Sequence, residues 1–302
     1  MNAFVSGAGG FIGRVAVRKL AAAGYEVIAH VGPPGVDLEP PPEARSNLRL
    51  EIEDASELAP LLRGCDVVVH LAGPASVATS FRDPLSYVRA HVMGTAALVD
   101  AARSAGVERF ILVSSAEVYG RPAEAQVREN APLQPRSPYA AAKLGAEAIV
   151  GAAARAGGPK ALILRPFSVY GPGQRSSSLL AEMIAQAARG DSIVARDLRP
   201  VRDYCHVEDV ARAILAASGV AVAEVETFNA GTGVATSVGA LAAMVFEVLG
   251  RSGTVHESGA ERGAAEIFRL VADPAHAAKV LGWRAETQLR QGIASLLEDP
   301  VA

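Results

Sequence analysis

The chain has 302 residues, half of them hydrophobic and 20% charged, and 29 basic against 32 acidic residues give a formal net charge of −3. That is a globular composition sized for one large domain or two small ones, and it excludes a disordered chain and a nucleic-acid binder that works by neutralising phosphates. Two cysteines, Cys65 and Cys205, cannot build a disulfide framework or a thiolate zinc site, and no uncharged apolar run approaches the roughly 20 residues of a membrane span. Met1 and Asn2 lead directly into Ala3-Phe4-Val5 with no basic leader, so the expected setting is cytoplasmic, with both thiols reduced and no membrane partner.

In chain order, short β-branched runs alternate with longer amphipathic ones, the pattern of βαβ units in a parallel sheet. Strands are predicted at residues 3–6, 26–30, 48–52, 67–71, 110–114 and 161–164, and helices at 11–23, 55–62, 84–105 and 139–156. The strands lack alternation, as strands covered on both faces do. The Pro-rich stretch 32–42 reads as a surface loop. Beyond Arg165 the pattern loosens through Gly171-Pro172-Gly173 and Ser176–Ser178 into a helix near 179–188, then a strand–helix–strand return over 204–217 and 227–230. The expected architecture is α/β, a Rossmann-like doubly wound parallel sheet with a smaller C-terminal α/β substrate domain. Residues 1–165 and 204–230 are assigned to the dinucleotide-binding domain, and 166–203 and 231–302 to the substrate domain.

Gly7, Gly10 and Gly13 lie between the first strand and the first helix, in Ser6-Gly7-Ala8-Gly9-Gly10-Phe11-Ile12-Gly13. Free N–H groups at a helix start, next to a backbone that glycine leaves bare, attract a pyrophosphate. The cofactor expected is therefore NAD or NADP, with Phe11 and Ile12 in the same cradle. The acid that would bind the adenosine ribose diol is missing from the end of the second strand, Val27-Ile28-Ala29-His30-Val31, and no adjacent arginine replaces it. The choice between NAD and NADP stays open, as Arg14 and Arg45 could approach a 2′-phosphate. After the third strand, Glu51 or Ile52 could meet adenine, while Asp54 caps the next helix.

Tyr139 and Lys143 stand one helical turn apart in Tyr139-Ala140-Ala141-Ala142-Lys143, and the chain has only four lysines. An ammonium near a phenol, together with an oxidised nicotinamide, favours phenolate and lowers the tyrosine pKa toward working pH. Tyr139 is thus a candidate general base for a hydroxyl whose carbon loses hydride, with Lys143 also placed to hold the nicotinamide ribose.

The glycine loop and the tyrosine–lysine pair together resemble the extended short-chain dehydrogenase/reductase family, the nucleotide-sugar epimerases and dehydratases, among them UDP-galactose 4-epimerases. Similar blocks run along nearly the whole chain. His70-Leu71-Ala72-Gly73 resembles the end of the fourth strand, which implies that Leu71, Ala72 and Gly73 line the cofactor. Ser114-Ser115-Ala116-Glu117-Val118-Tyr119-Gly120 resembles the fifth-strand block, which implies that Ser114 lies near the cofactor and Ser115 is the third catalytic residue. Arg165-Pro166-Phe167-Ser168 resembles the segment after the sixth strand, with Pro166 toward cofactor and Phe167 and Ser168 toward substrate. The resemblance also implies two diphosphate-gripping arginines, Arg202 and Arg262, and a homodimer packed through two alanine-rich helices.

Two departures bear on the reaction. Dehydratase members carry an Asp-Glu pair where this chain has Ala116-Glu117, so the acid donor for water loss is gone. Glu117 remains as a candidate catalytic carboxylate. The family's asparagines stand replaced by His91, read as a packed helix residue, and by Ser168. The leading expectation is a nucleotide-sugar epimerase inverting C4 through a transient 4-keto sugar, acting on a nucleotide-diphosphate sugar. The alternatives are an NADPH-dependent 4-keto-sugar nucleotide reductase and, from another class, a non-catalytic dinucleotide-binding regulator.

Overall fold

The computed structural model describes residues 1–259 and 266–298. Its first half runs β1 (Asn2–Ser6), α1 (Phe11–Ala22), β2 (Glu26–His30), β3 (Ser46–Leu48), α2 (Ala55–Leu61), β4 (Val67–His70), α3 (Val77–Arg82), α4 (Pro84–Tyr87), a π-helical turn (Val88–Met93), α5 (Gly94–Ala105), β5 (Arg109–Val113), a 3₁₀ turn (Ala116–Tyr119), α6 (Pro138–Arg155) and β6 (Lys160–Pro166). The second half adds β7 (Ser168–Tyr170), α7 (Leu179–Arg189), β8 (Ser192–Ala195), β9 (Val201–Arg202), β10 (Tyr204–His206), α8 (Val207–Gly219), β11 (Val225–Ala230), β12 (Thr236–Ser237), α9 (Val238–Val248), β13 (Thr254–Glu257), β14 (Arg269–Leu270), α10 (Ala275–Val280) and α11 (Leu289–Glu298).

Seven strands form one parallel sheet in the order β11-β6-β5-β4-β1-β2-β3. Side chains alternate across it, so Ala3, Val5, Val67 and Val69 pack with α1 and α8, while Phe4 and Val68 pack with α2, α5 and α6. Both faces are covered, which explains the continuous apolar strands and makes the sheet doubly wound. The strand order reverses at β1 and β4, so the loops after these two strands open the crevice where such sheets bind ligands. Beside the sheet, β7 pairs with β10, β9 with β12 and β14, and β8 with β13. Leu180, Met183, Ile193, Leu241, Val245, Phe246 and Ile293 form a core of their own there.

The third strand lies at Ser46–Leu48, two residues before the predicted one starts and ending where that one begins. Its register pairs Ile28 to His30 with Ser46 to Leu48. The apolar spacing that suggested residues 48–52 has another cause: Ile52 is buried in the helical layer, where its side chain occupies the space beside Gly94 at the start of α5. The predicted helix over 84–105 is real but is interrupted by the π turn that carries His91.

Candidate active site

The loop after β1 is shaped by how closely backbone must pass backbone. Gly7 has a φ of 70°, and a Cβ there would lie 2.7 Å from the amide nitrogen of Ala72. A Cβ on Gly13 would come within 2.1 Å of the Gly7 carbonyl oxygen. The two glycines thus let the segment Leu71–Ala72 close on Gly7, and the start of α1 close on the Gly7–Ala8 turn. Gly10 N-caps α1 in extended geometry with no side-chain hydrogen bond, and the first turn carries no acidic residue. A bare helix start of this kind fits an external pyrophosphate, which the N–H groups and helix dipole would hold.

The end of β2 offers no carboxylate. Val31 is buried, and the His30 imidazole turns inward to pair Nε2 with the Leu50 carbonyl at 2.9 Å. After β3, Glu51 is exposed and Ile52 is buried. Asp54 caps α2 by accepting from the backbone N–H groups of Ser56 and Glu57.

The reactive groups collect where β5 ends and α6 begins. Ser137 caps α6 and Pro138 opens it, so the helix starts one residue before Tyr139. Tyr139 is buried and hydrogen-bonded to Ser115, the residue that N-caps the 3₁₀ turn after β5. One turn further, the Lys143 ammonium donates to the Val113 carbonyl at 2.8 Å. The structure therefore brings Ser115, Tyr139 and Lys143 together across the β5–α6 junction. Ser114 points the other way and donates to Glu147, whose carboxylate makes a two-pronged ion pair with Arg165, at 3.0 Å from Nε and 2.7 Å from Nη2. Arg165 also donates to the Tyr119 hydroxyl and lies 4.9 Å over that ring. The sequence reading did not single out this Glu147–Arg165 pair. The available signal was Glu147 standing four residues after Lys143 on the same helix face.

Burial dominates the electrostatics of the tyrosine–lysine pair in the protein alone. Burial pushes the Tyr139 phenol up to about 12, opposed by the Ser115 hydrogen bond and reinforced by the Glu117 charge. Lys143 is itself brought down to about 8 by burial, against the pull of Glu147. The same buried ammonium, after desolvation, helps to hold His91 well below the usual imidazole range.

Glu117 is half-buried, and its carboxyl is raised by desolvation, with Arg202 opposing. Its side chain acts on the Tyr139 phenol and is acted on by the Arg202 charge, which joins the reacting end to the arginine expected to hold diphosphate. Ala116, by contrast, is buried in an apolar cluster with Val118, Tyr119 and Phe167. Pro166 ends β6, Phe167 is buried beyond it, and Ser168 opens β7 opposite Tyr204. Arg202, on β9, donates to the Val201 carbonyl at 3.1 Å. Arg262 lies outside the described residues.

A serine–tyrosine–lysine set, in a chain that also carries a glycine loop suited to a dinucleotide, belongs to enzymes that exchange hydride with a nicotinamide. Residues 3–231 match the NAD dependent epimerase/dehydratase family, and the chain belongs to it. It is 31% identical to UDP-glucose 4-epimerase of Mycolicibacterium smegmatis, over 99% of this chain and 98% of that one. It is 30% identical to GDP-6-deoxy-D-mannose reductase of Pseudomonas aeruginosa, over 98% and 96%. The solved structure of MoeE5 in complex with UDP-glucuronic acid and NAD, 32% identical, has a TM-score of 0.89 and covers 99% of this chain and 98% of its own.

Proposed function

We propose that this enzyme is a nucleotide-sugar 4-epimerase that uses NAD(P), with Ser115, Tyr139 and Lys143 as its catalytic residues. When bound, the nicotinamide dinucleotide supplies a hydride acceptor and donor. The chain does the rest. Tyr139, oriented by Ser115, would act as the phenolate that the charges of Lys143 and an oxidised nicotinamide favour, taking the proton of the sugar hydroxyl as that carbon is oxidised and giving it back once the keto-sugar has presented its other face. The proton returns to the sugar in the second half-reaction, so none is released to solvent. Lys143 holds positive charge behind the phenol, and Arg202 holds the diphosphate while the sugar turns. Arg262 is assigned a second diphosphate contact from its place in the sequence.

The observation that carries epimerisation over dehydration is Ala116. The position that would supply an acid for a departing hydroxyl is an apolar side chain in an apolar cluster. Similarity to a UDP-glucose 4-epimerase over nearly the full length supports the same reading. A second reading, an NADPH-dependent 4-keto-sugar nucleotide reductase, is favoured by one feature. With His30 and Val31 turned inward, β2 carries no carboxylate to repel a 2′-phosphate. Two unpaired, buried cysteines suit a reducing compartment, and the cytoplasm is the proposed setting. Among the described residues, no helix is long and apolar enough to cross a membrane.

The test is NMR of UDP- and TDP-hexoses incubated with the purified enzyme and catalytic NAD. An epimerase interconverts the C4 epimers with no consumption of added NADH or NADPH. Stoichiometric NADPH oxidation on a 4-keto-sugar nucleotide, with no epimer formed, would replace it by the reductase. Tyr139→Phe is expected to lower kcat by about 10²–10⁴-fold, and an unchanged rate would refute both readings.

A further inference from the structure

Packed against Tyr139 is an aromatic group that the proposed chemistry leaves unused. His91 sits in the π turn Val88–Met93 and is 2% exposed. A π turn inserts a residue into a helix at some cost and is frequently found at functional positions. Here it swings the imidazole between two parts of the site. On one side, the His91 ring lies 5.7 Å from the Tyr139 ring, edge to face, with Tyr87 5.9 Å from His91 and 6.1 Å from Tyr139. On the other side, Nε2 pairs with the Pro74 carbonyl at 2.8 Å. Gly73, with a φ of 122°, leaves the space the ring fills, since a Cβ there would lie 2.3 Å from the imidazole Cε1.

We propose that His91 is a positioning residue for Tyr139, a brace that fixes the phenol relative to the Gly73–Pro74 turn. The proposal rests on the reading of Tyr139 as the proton acceptor. The physical logic has two parts. A carbonyl accepts only from an N–H, so the bond to Pro74 sets the tautomer and fixes the ring plane. The ring then limits where the Tyr139 ring can stand, by contact and by edge-to-face electrostatics. Burial and the Lys143 charge keep the imidazole neutral, which holds that tautomer at working pH. The remaining groups facing this pair are Ser115 and Glu117 on Tyr139, Tyr87 on both rings, and His70 behind His91. Thr95 adds a hydroxyl donated to the His91 carbonyl, which ties the π turn to α5. A proton acceptor displaced by about 1 Å loses on the order of a hundredfold in rate, so a brace of this kind acts on kcat.

The experiment compares His91→Ala, His91→Phe and His91→Gln with wild type. It follows kcat, KM, the acid limb of the kcat–pH profile, Tm, and the ring resonances of Tyr139 in ¹³C-tyrosine-labelled protein, assigned by their loss in Tyr139→Phe. For His91→Ala we expect kcat about tenfold to a hundredfold lower, KM for the sugar nucleotide within about twofold, a shifted acid limb and moved Tyr139 resonances. Phe, which restores the ring, and Gln, which restores an N–H at the same reach, should each recover part of kcat. Should Ala not fold, these two variants carry the comparison, and both must then fall between wild type and inactivity with moved resonances. The proposal is overturned if kcat and the resonances stay at wild-type values, or if kcat falls only in step with Tm while the resonances stay put. The resonances are read without substrate, so a wild-type enzyme that turns over no nucleotide sugar would sink the epimerase reading and leave the brace measurable.

Discussion

Burial at the site works against the Lys143 ammonium. Desolvation brings its pKa in the folded protein to about 8, from an ordinary value of 10.5. Between those values the unfolded chain holds a proton that the folded chain has released, so this residue's contribution to stability rises with pH. Measured by urea unfolding, the stability of wild type relative to Lys143→Met should therefore improve by about 2 kcal/mol between pH 8 and pH 10 and stay flat below pH 7. A difference that does not change with pH would mean the ammonium is not desolvated. At this scale the sequence was informative about which groups meet. A four-residue spacing on a helix puts Tyr139 and Lys143 on one face whatever surrounds them. It said little about their pKa values, because burial comes from groups remote in sequence. The expected lowering of the phenol by Lys143 was tied to an oxidised nicotinamide, and in the protein alone burial is the larger effect. His91, read as a packed helix residue, is buried, but nothing local marks residue 91 as the neighbour of residues 73, 74 and 139.

At the scale of elements, α6 joins the reacting end of the site to the sheet. Tyr139 and Lys143 occupy its first turns, and Glu147 on the next turn makes a buried ion pair with Arg165 at the end of β6, both side chains 5% exposed. Burial works against the Arg165 charge, but the Glu147 carboxylate and the Tyr119 hydroxyl more than offset it and raise the guanidinium pKa. Removing one partner leaves a charge without its counterion in a dry site, which costs about 3–5 kcal/mol, whereas removing both leaves none. Glu147→Gln should thus lose that much stability in urea unfolding, and Glu147→Met with Arg165→Met should lose less than Glu147→Gln alone. If the double variant is the less stable, the pair is not coupled as the geometry requires. The sheet strands other than β3, and the helices α1, α2, α5, α6, α7 and α8, were legible because apolar period and capping residues act within a few positions, whereas α3, α9, α10 and α11 were not singled out. The short strands β8, β9, β12, β13 and β14 were not, being two to four residues long and defined by partners elsewhere. Nor was the π turn, since its residues show a normal helical pattern.

At the scale of the whole molecule, the helices that brace Tyr139 also present an unpartnered apolar surface. Phe81 is 53% exposed, Leu85 75%, Val88 42% and Met93 52%, all within α3, α4 and the π turn. The same short segment buries Tyr87 and His91 against Tyr139, so its inner face is committed to the site and its outer face to solvent. Large apolar side chains gathered in this way on an otherwise charged surface mark a contact. A second copy of the chain is the proposed occupant, consistent with the helical homodimer that the family resemblance implies. A two-fold contact would set Leu85 and its neighbours against their own symmetry mates, and burying roughly 1,200–2,000 Å² would make it stable. Leu85→Glu tests this cleanly, because the residue is too exposed to matter for the fold of one chain. Light scattering after size exclusion should give the mass of two chains for wild type and of one chain for Leu85→Glu, with unchanged circular dichroism. A wild-type mass of one chain at micromolar concentration would exclude the dimer. If the variant separates as expected, its kcat becomes informative as well. The partner would then be supporting from behind the segment that holds His91 and Tyr87 against the phenol, and the separated chain should turn over more slowly with little change in KM.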